Sequence, residues 1–226
     1  MLIRIPQVLS TEEVVHCRHV LEAAAWVDGK ITAGAQSREA KRNLQIPQNS
    51  EASRELGEII LRRLGSNELF TSAALPLRVY PPLFNRYDEG MAFGTHIDNA
   101  VRSGPGINVR VRTDLSATLF LTAPEDYGGG ELVIEDTYGE QRVKFAAGDM
   151  VLYPATSRHR VEPVTHGSRW CSFFWIQSMV RDGETRSLLF DLDTAIQSVR
   201  GKHGETEEAV RLTGVYHNLV RRWAEV

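Results

Sequence analysis

The chain has 226 residues, 42% of them hydrophobic and 24% charged, with a formal net charge of -3 and a pI near 6.2. That length suits one domain with a sizeable core, and the faintly acidic balance gives no general reason to expect nucleic acid or an anionic membrane as a partner. Cys17 and Cys171 are the two cysteines; they exclude a disulfide framework and a CxxC zinc site, and read as buried thiols in a reducing compartment.

The N-terminal MLIRIPQVLSTEEV carries an arginine and a proline within its short apolar stretch, unlike a signal peptide. No apolar run reaches the length of a membrane span, so the expected location is cytoplasmic. Ser10-Thr11-Glu12-Glu13 is a capping box, and it predicts a helix that ends around Trp26 to Gly29. Residues 28–49 are polar and weakly periodic, which predicts a long loop with a short strand at most. A second helix is expected over 50–64, with Leu56, Ile59, Ile60 and Leu64 on one stripe.

After Pro76 the pattern turns to strands. The stretch 77–87 is rich in β-formers, with Pro81-Pro82 marking an edge or a bulge. In 114–122 the residues Leu115, Ala117, Leu119 and Leu121 share one face. Short strands are expected over 131–135 and 141–145 around a turn at 136–139, then over 150–153, 160–164 and 170–176. Turns are expected at Gly128-Gly129-Gly130 and at His166-Gly167-Ser168. Many short strands between turn residues indicate an antiparallel sandwich or barrel. Beyond Arg181, two apolar stripes, Leu188 to Val199 and Ala209 to Trp223, flank a break at 201–204. They predict a C-terminal helical hairpin, docked on the barrel or on a second subunit.

The chemistry concentrates in Gly94-Thr95-His96-Ile97-Asp98-Asn99. In an extended strand residues i and i+2 point the same way, so His96 and Asp98 present an imidazole and a carboxylate to one point. His159, after the buried run Met150 to Tyr153, is the natural third ligand. Two histidines and one carboxylate leave the opposite face of an ion open, the arrangement of oxygen-activating ferrous sites. Ten residues further on, Arg169 opens the almost wholly apolar run 170–176. A guanidinium so placed needs an anionic partner, and a carboxylate can accept a bidentate pair from it.

On these residues, together with Asn85-Arg86-Tyr87, Arg112-Thr113-Asp114-Leu115-Ser116 and Gly129-Gly130-Glu131-Leu132, the chain resembles the Fe(II)/2-oxoglutarate-dependent dioxygenases. Within them it resembles the bacterial PKHD-type branch, related to prolyl and lysyl hydroxylases. The resemblance implies a mainly β fold: a double-stranded β-helix (jelly roll) with N-terminal helices and a C-terminal helical hairpin. The expected division is 1–75 as helical support, 76–180 as the jelly-roll core and 181–226 as the hairpin. It further implies Fe(II) on His96, Asp98 and His159, and 2-oxoglutarate with its remote carboxylate on Arg169 and Tyr87 close by. Dioxygen, and L-ascorbate as reductant, complete the implied cofactors. The implied reaction is hydroxylation of an aliphatic C–H in an amino acid, a peptide or a small metabolite, releasing succinate and carbon dioxide. Related halogenases lack the ligand carboxylate, so Asp98 favours hydroxylation. Nucleic-acid demethylases of the superfamily usually carry a second arginine six residues after the first, where this chain has Trp175. A cupin-like sensor is the non-catalytic alternative; Arg169 argues against it.

Around this set, Arg102, Arg110 and Arg112 with Gly104-Pro105-Gly106 form a basic loop over 99–113 that is expected to border the site. Lys30, Lys41, Arg42 and Asn43 supply polar handles in the loop 28–49, a second candidate cover. His16 and His19 lie on the first helix without a third ligand, and read as surface or packing residues. The C-terminal helices are the expected route to a homo-oligomer.

Overall fold

The structure, a computed structural model, describes residues 1–32, 40–103 and 110–226. The N-terminal region holds β1 (Ile3–Ile5), α1 (Thr11–Ala23), β2 (Val27–Asp28), β3 (Lys41–Arg42), β4 (Leu44–Gln45), α2 (Glu51–Gly65) and α3 (Glu68–Ala74). Then follow β5 (Pro76–Val79), β6 (Leu83–Asp88), β7 (Ala92–His96), β8 (Val101–Arg102), β9 (Val111–Arg112) and β10 (Leu115–Phe120). The remaining strands are β11 (Tyr127–Gly129), β12 (Leu132–Asp136), β13 (Gly139–Val143), β14 (Met150–Pro154), β15 (His159–Val161) and β16 (Val164–Ser178). Helices α4 (Gly183–His203) and α5 (Glu207–Trp223) close the chain.

Among the described residues the strands make a major sheet in the order β1-β14-β10-β16-β6-β4-β2, with β5 and β11 also paired to β16, a minor sheet in the order β13-β12-β15-β7-β3, and a separate β8-β9 pair. The pairings are antiparallel throughout. The result is the jelly roll expected from the sequence, with helices at both ends of the chain.

Alternation along the major sheet separates two cores. Leu115, Ala117 and Leu119 of β10, Met150 and Leu152 of β14, and Phe174 and Ile176 of β16 pack outward against Cys17, Leu21, Leu56 and Ile60 of the N-terminal helices. The alternate residues Phe120, Val151, Tyr153 and Cys171 pack inward against Leu132, Ile134, Val143 and Val161 of the minor sheet. Strand β10 is therefore buried on both faces, although its sequence alternates like a half-exposed strand. Ser116 and Thr118 are its polar inward residues, and they face a cavity.

Local chemistry explains where the elements begin and end. The capping box at Ser10 is present: its hydroxyl accepts from the Glu13 amide at 3.3 Å, and the Glu13 carboxylate accepts from the Ser10 amide at 2.9 Å. Helix α1 stops at Ala23, short of the expected 26–29. The Trp26 indole folds back to donate to the Leu21 carbonyl at 3.0 Å, which satisfies one of the acceptors a helix end leaves open. Helix α3 is not foreseen by periodicity, because seven residues show too little of it; its signal is the N-cap Asn67, whose side chain accepts from the Phe70 amide at 2.8 Å.

Two expected turns are strands. Strand β16 runs unbroken through His166-Gly167-Ser168, and the chain reverses earlier, between β15 and β16 at Glu162-Pro163. Gly128 and Gly129 belong to β11, which pairs with that polar part of β16 in the register Tyr127↔Gly167 and Gly128↔His166. Glycine is required at 167 by close approach: a Cβ there would lie 2.3 Å from the Asp126 carbonyl oxygen.

The C-terminal helices form the expected hairpin and dock on the chain itself. Leu189 of α4 is buried against Leu75 and Val180, with Leu219 and Trp223 of α5 beside them. The buried guanidinium of Arg186 donates to the carbonyls of Val180 and Arg181 at 2.6 and 2.8 Å, which fixes α4 to the end of β16.

Candidate active site

Strands β7 and β15 are neighbours in the minor sheet, and His96 stands opposite His159 across the ladder. Four residues of β7, from Phe93 to His96, stand against three of β15, from His159 to Val161. Such a bulge re-aims the side chain that follows it, and here the two rings come within 4.2 Å. Strand β7 ends at His96, so Asp98 lies just past the strand and not within it as the i, i+2 argument assumed. The alternation persists nonetheless: Ile97 points to solvent, 54% exposed, while Asp98 turns inward.

Asp98 is gripped from the opposite sheet. The Ser116 hydroxyl of β10 donates to its Oδ2 at 2.6 Å, and His159 Nε2 lies 3.7 Å from the same oxygen. Ligand atoms of His96, Asp98 and His159 all fall within 4.8 Å of one another, and among the described residues no other group of three His, Cys, Asp or Glu does so. Each imidazole is oriented by its own segment: His96 Nδ1 faces the Gly94 carbonyl at 2.8 Å, and His159 Nδ1 faces the Ser157 carbonyl at 3.0 Å. A carbonyl only accepts, so Nδ1 carries the proton and the Nε2 lone pair is left for an ion. Phe93 stacks on the His96 ring at 3.7 Å, and Tyr153 meets the His159 ring edge-on at 5.2 Å.

The electrostatics suit a cation. Burial, then the neighbouring His159, push His96 down to about 4, so its imidazole is neutral and available at neutral pH. Burial alone would raise the Asp98 carboxyl; His159, the Ser116 hydroxyl, the Trp175 indole and His96 outweigh it and hold the acid below its ordinary value. The donor set is thus two imidazoles and one carboxylate, which suits a divalent iron. His16 and His19 are both exposed, and His16 meets Glu55 at 2.8 Å, as their surface reading requires.

Arg169 lies deep in the same cavity as the triad. It pairs across the ladder with Tyr87 of β6 and is only 2% exposed. Its guanidinium carbon sits 5.4 Å from the rings of both Tyr87 and Phe120. Its Nε has no hydrogen-bond partner, and no carboxylate of the described residues lies within ion-pair distance of it. A guanidinium does not lose its proton in a protein, so a buried one calls for an anion. Tyr87 is 1% exposed and lines the cavity; burial pushes its phenol upward, which keeps it a neutral donor.

Sequence reasoning undervalued two further cations. Lys41 and Arg102 both line the cavity. The Lys41 ammonium lies 5.3 Å from the Phe93 ring and 5.7 Å from the Phe173 ring, and Arg102 stacks on Trp175 at 3.7 Å. Burial, then the charge of Arg102, push Lys41 down to about 7, against the pull of Asp98. The other basic residues of the two loops go elsewhere. Arg112 is bound by Asp114 at 2.8 and 3.1 Å and by Glu225 at 3.3 Å, while Lys30, Arg42 and Arg110 are exposed. Gly104-Pro105-Gly106 and residues 33–39 lie outside the described residues. Lys41 and Asn43 are buried and Arg42 is exposed; that alternation is the signal, hidden because the inward residues are the polar ones.

Comparison with known proteins follows this geometry. Residues 82–177 match the family model of the 2OG-Fe(II) oxygenase superfamily, and residues 183–225 match that of the PKHD-type hydroxylase C-terminal domain. A PKHD-type hydroxylase of Gluconobacter oxydans is 61% identical and one of Methylobacterium nodulans 60% identical, each alignment covering 100% of both chains. Among solved structures, HygX of Streptomyces hygroscopicus with nickel, 2-oxoglutarate and hygromycin B bound has a TM-score of 0.53 at 17% identity, over 78% of this chain and 82% of that one. A prolyl hydroxylase of Trichoplax adhaerens in complex with a peptide fragment has a TM-score of 0.54 at 15% identity, over 83% and 86%. At such identities these two bear on the fold alone.

Proposed function

The chain belongs to the PKHD-type hydroxylases of the 2OG-Fe(II) oxygenase superfamily, and from that premise we propose which of its residues do the work. His96, Asp98 and His159 hold Fe(II). Arg169 receives the remote carboxylate of 2-oxoglutarate, and Tyr87 stands beside it as a hydrogen-bond donor. The observation that carries this reading is the buried guanidinium of Arg169, without a carboxylate among the described residues, on the wall of the cavity the triad occupies. An orphaned buried cation and a two-histidine, one-carboxylate set are what the two groups require.

Bound Fe(II), with 2-oxoglutarate and dioxygen, supplies oxidative decarboxylation to succinate and carbon dioxide coupled to hydroxylation of an aliphatic C–H bond. The chain's own part is positional. The Gly94 and Ser157 carbonyls hold the imidazole protons away from the ion, and Ser116 orients the carboxylate. Phe93 and Tyr153 shield the rings from water, and Arg169 anchors the co-substrate in one direction. The prime substrate is a small molecule or a peptide. L-Ascorbate is proposed as the reductant that sustains repeated turnover, and the cytoplasm as the location. No described helix is long and apolar enough to cross a membrane. Self-association is proposed through the hairpin, where Leu188, Val210 and Val215 are exposed. Light scattering of Leu188→Glu against wild type tests it, a lower mass being expected of the variant.

Anaerobic addition of Fe(II) and 2-oxoglutarate should give a weak visible charge-transfer band. Arg169→Ala should weaken 2-oxoglutarate binding by roughly 30-fold or more, the cost of losing a buried charged hydrogen-bond partner. Absence of the band in wild-type protein, with no succinate formed under oxygen, would sink the assignment.

A further inference from the structure

We propose that the prime substrate carries a carboxylate, and that Lys41 and Arg102 receive it, with Phe93, Phe173 and Trp175 forming the apolar wall for the rest of the molecule. This rests on the assignment of the same cavity to iron and 2-oxoglutarate, and it names what that assignment leaves open.

Asp98 is the one acidic residue among the described residues of the cavity, and it belongs to the metal set. Three cations share that wall: Arg169, Lys41 and Arg102. Arg169 sits deep, on β16 opposite β6, and is assigned to 2-oxoglutarate. Lys41 and Arg102 come from other elements, which flank the triad on the side of β7. Lys41 is on β3, paired opposite Phe93 of β7, and Arg102 is on β8, four residues after Asp98. Both reach inward, and whatever other bonds they make, the wall presents two cations outside the co-substrate's own anchor.

Their setting favours recognition over solubility. Lys41 is 3% exposed and lies between the faces of Phe93 and Phe173. The Arg102 guanidinium carbon lies over the Trp175 ring, 3.7 Å from its centre. Stacking of this kind fixes the direction in which a guanidinium points its in-plane donors. One planar donor and one lysine, whose protonated form a bound anion favours, match the two oxygens and single charge of a carboxylate. Phosphate sites commonly use a helix N-terminus or a glycine-rich loop, and none of the described cavity residues belongs to a helix. The aromatic walls suit an apolar body of the kind that presents a C–H bond.

The probe is sodium benzoate, with benzamide as its neutral isostere and phenyl phosphate as the alternative anion. Each is titrated calorimetrically into full-length protein loaded anaerobically with Fe(II) and saturating 2-oxoglutarate, so that Arg169 is occupied. Wild type should bind benzoate at least about tenfold more tightly than benzamide and more tightly than phenyl phosphate. Lys41→Met and Arg102→Gln, which keep side-chain volume, should each weaken benzoate about fivefold to tenfold and leave benzamide unaltered. Retention of the charge-transfer band in both variants shows that they fold and still bind 2-oxoglutarate. Equal binding of benzoate and benzamide, a preference for phenyl phosphate, or undiminished benzoate binding by both variants overturns the proposal. A missing band in wild type overturns instead the iron and 2-oxoglutarate assignment, and the benzoate preference is read without it.

Discussion

Ser116 has no place in the metal set, yet its hydroxyl decides how the Asp98 carboxylate faces an ion. Removing such a supporting hydrogen bond weakens metal binding by about 10- to 100-fold. Ser116→Ala should therefore lose that much Fe(II) affinity in competition with a chelator, while Ser116→Thr, which keeps the hydroxyl, should lose less. His96 adds a pH dependence whose sign follows from its depression to about 4. Between the ordinary histidine value, near 6.5, and about 4, the unfolded chain binds a proton that the folded chain refuses. Stability must fall as pH drops through that window. Urea melts of metal-free protein should show the loss between pH 7 and pH 4.5, and His96→Asn should flatten the slope. The clustering of His96, Asp98 and His159 was legible because polar side chains interrupt apolar strands at strand spacing, and the burial of Arg169 because it opens an apolar run. Lys41 and Arg102 were named only among the basic residues of two loops, because the sequence does not show which cations of a polar loop the fold turns inward.

Strand β16 supplies Arg169, Phe173 and Trp175 to the cavity from one face, and Phe174 and Ile176 to the helical core from the other. It can do so only if its first residues are held in register by β11. Gly130, just past β11, has φ +65°, and a Cβ there would lie 3.0 Å from Tyr127 and Val164 side-chain atoms and 3.2 Å from Arg169 Cδ. Gly130→Ala combines backbone strain with overpacking. It should cost about 1–3 kcal/mol in a urea melt and raise the Kd for 2-oxoglutarate by displacing the guanidinium. The same strand shows where element reading stops. Period-two alternation located β10, β12 and β14 well, because each is bounded by clear turn residues. Glycine and serine at 166–168 were read as a turn, although the pairing of β11 and β6 on either side makes them strand. Turn chemistry is local, whereas pairing is supplied by residues forty and eighty positions away in the chain.

At the scale of the molecule, we propose the division 1–75, 76–180 and 181–226 as support, catalytic core and appended hairpin. The hairpin's hold on the core runs through Leu189, buried against Leu75 and Val180. Leu189→Ala should cost about 2–5 kcal/mol, read as a lower urea midpoint, with the 2-oxoglutarate charge-transfer band unaltered. Loss of the band in folded variant would join the hairpin to the site. The jelly roll itself was readable from strand number and spacing, but the way two sheets share the cluster of His96, Asp98 and His159 was not, because sheet order is fixed by long-range pairing. That sharing has an outcome for folding fidelity. His96 and His159 occupy facing rungs of one sheet, and Asp98 is bound to a strand of the other. A one-residue slip between β7 and β15 would turn an imidazole to the outer surface, and a slip of β10 would withdraw Ser116. On the proposed assignment only correctly aligned chains capture iron tightly, and metal-affinity sorting of refolded protein should separate aligned chains from misaligned ones.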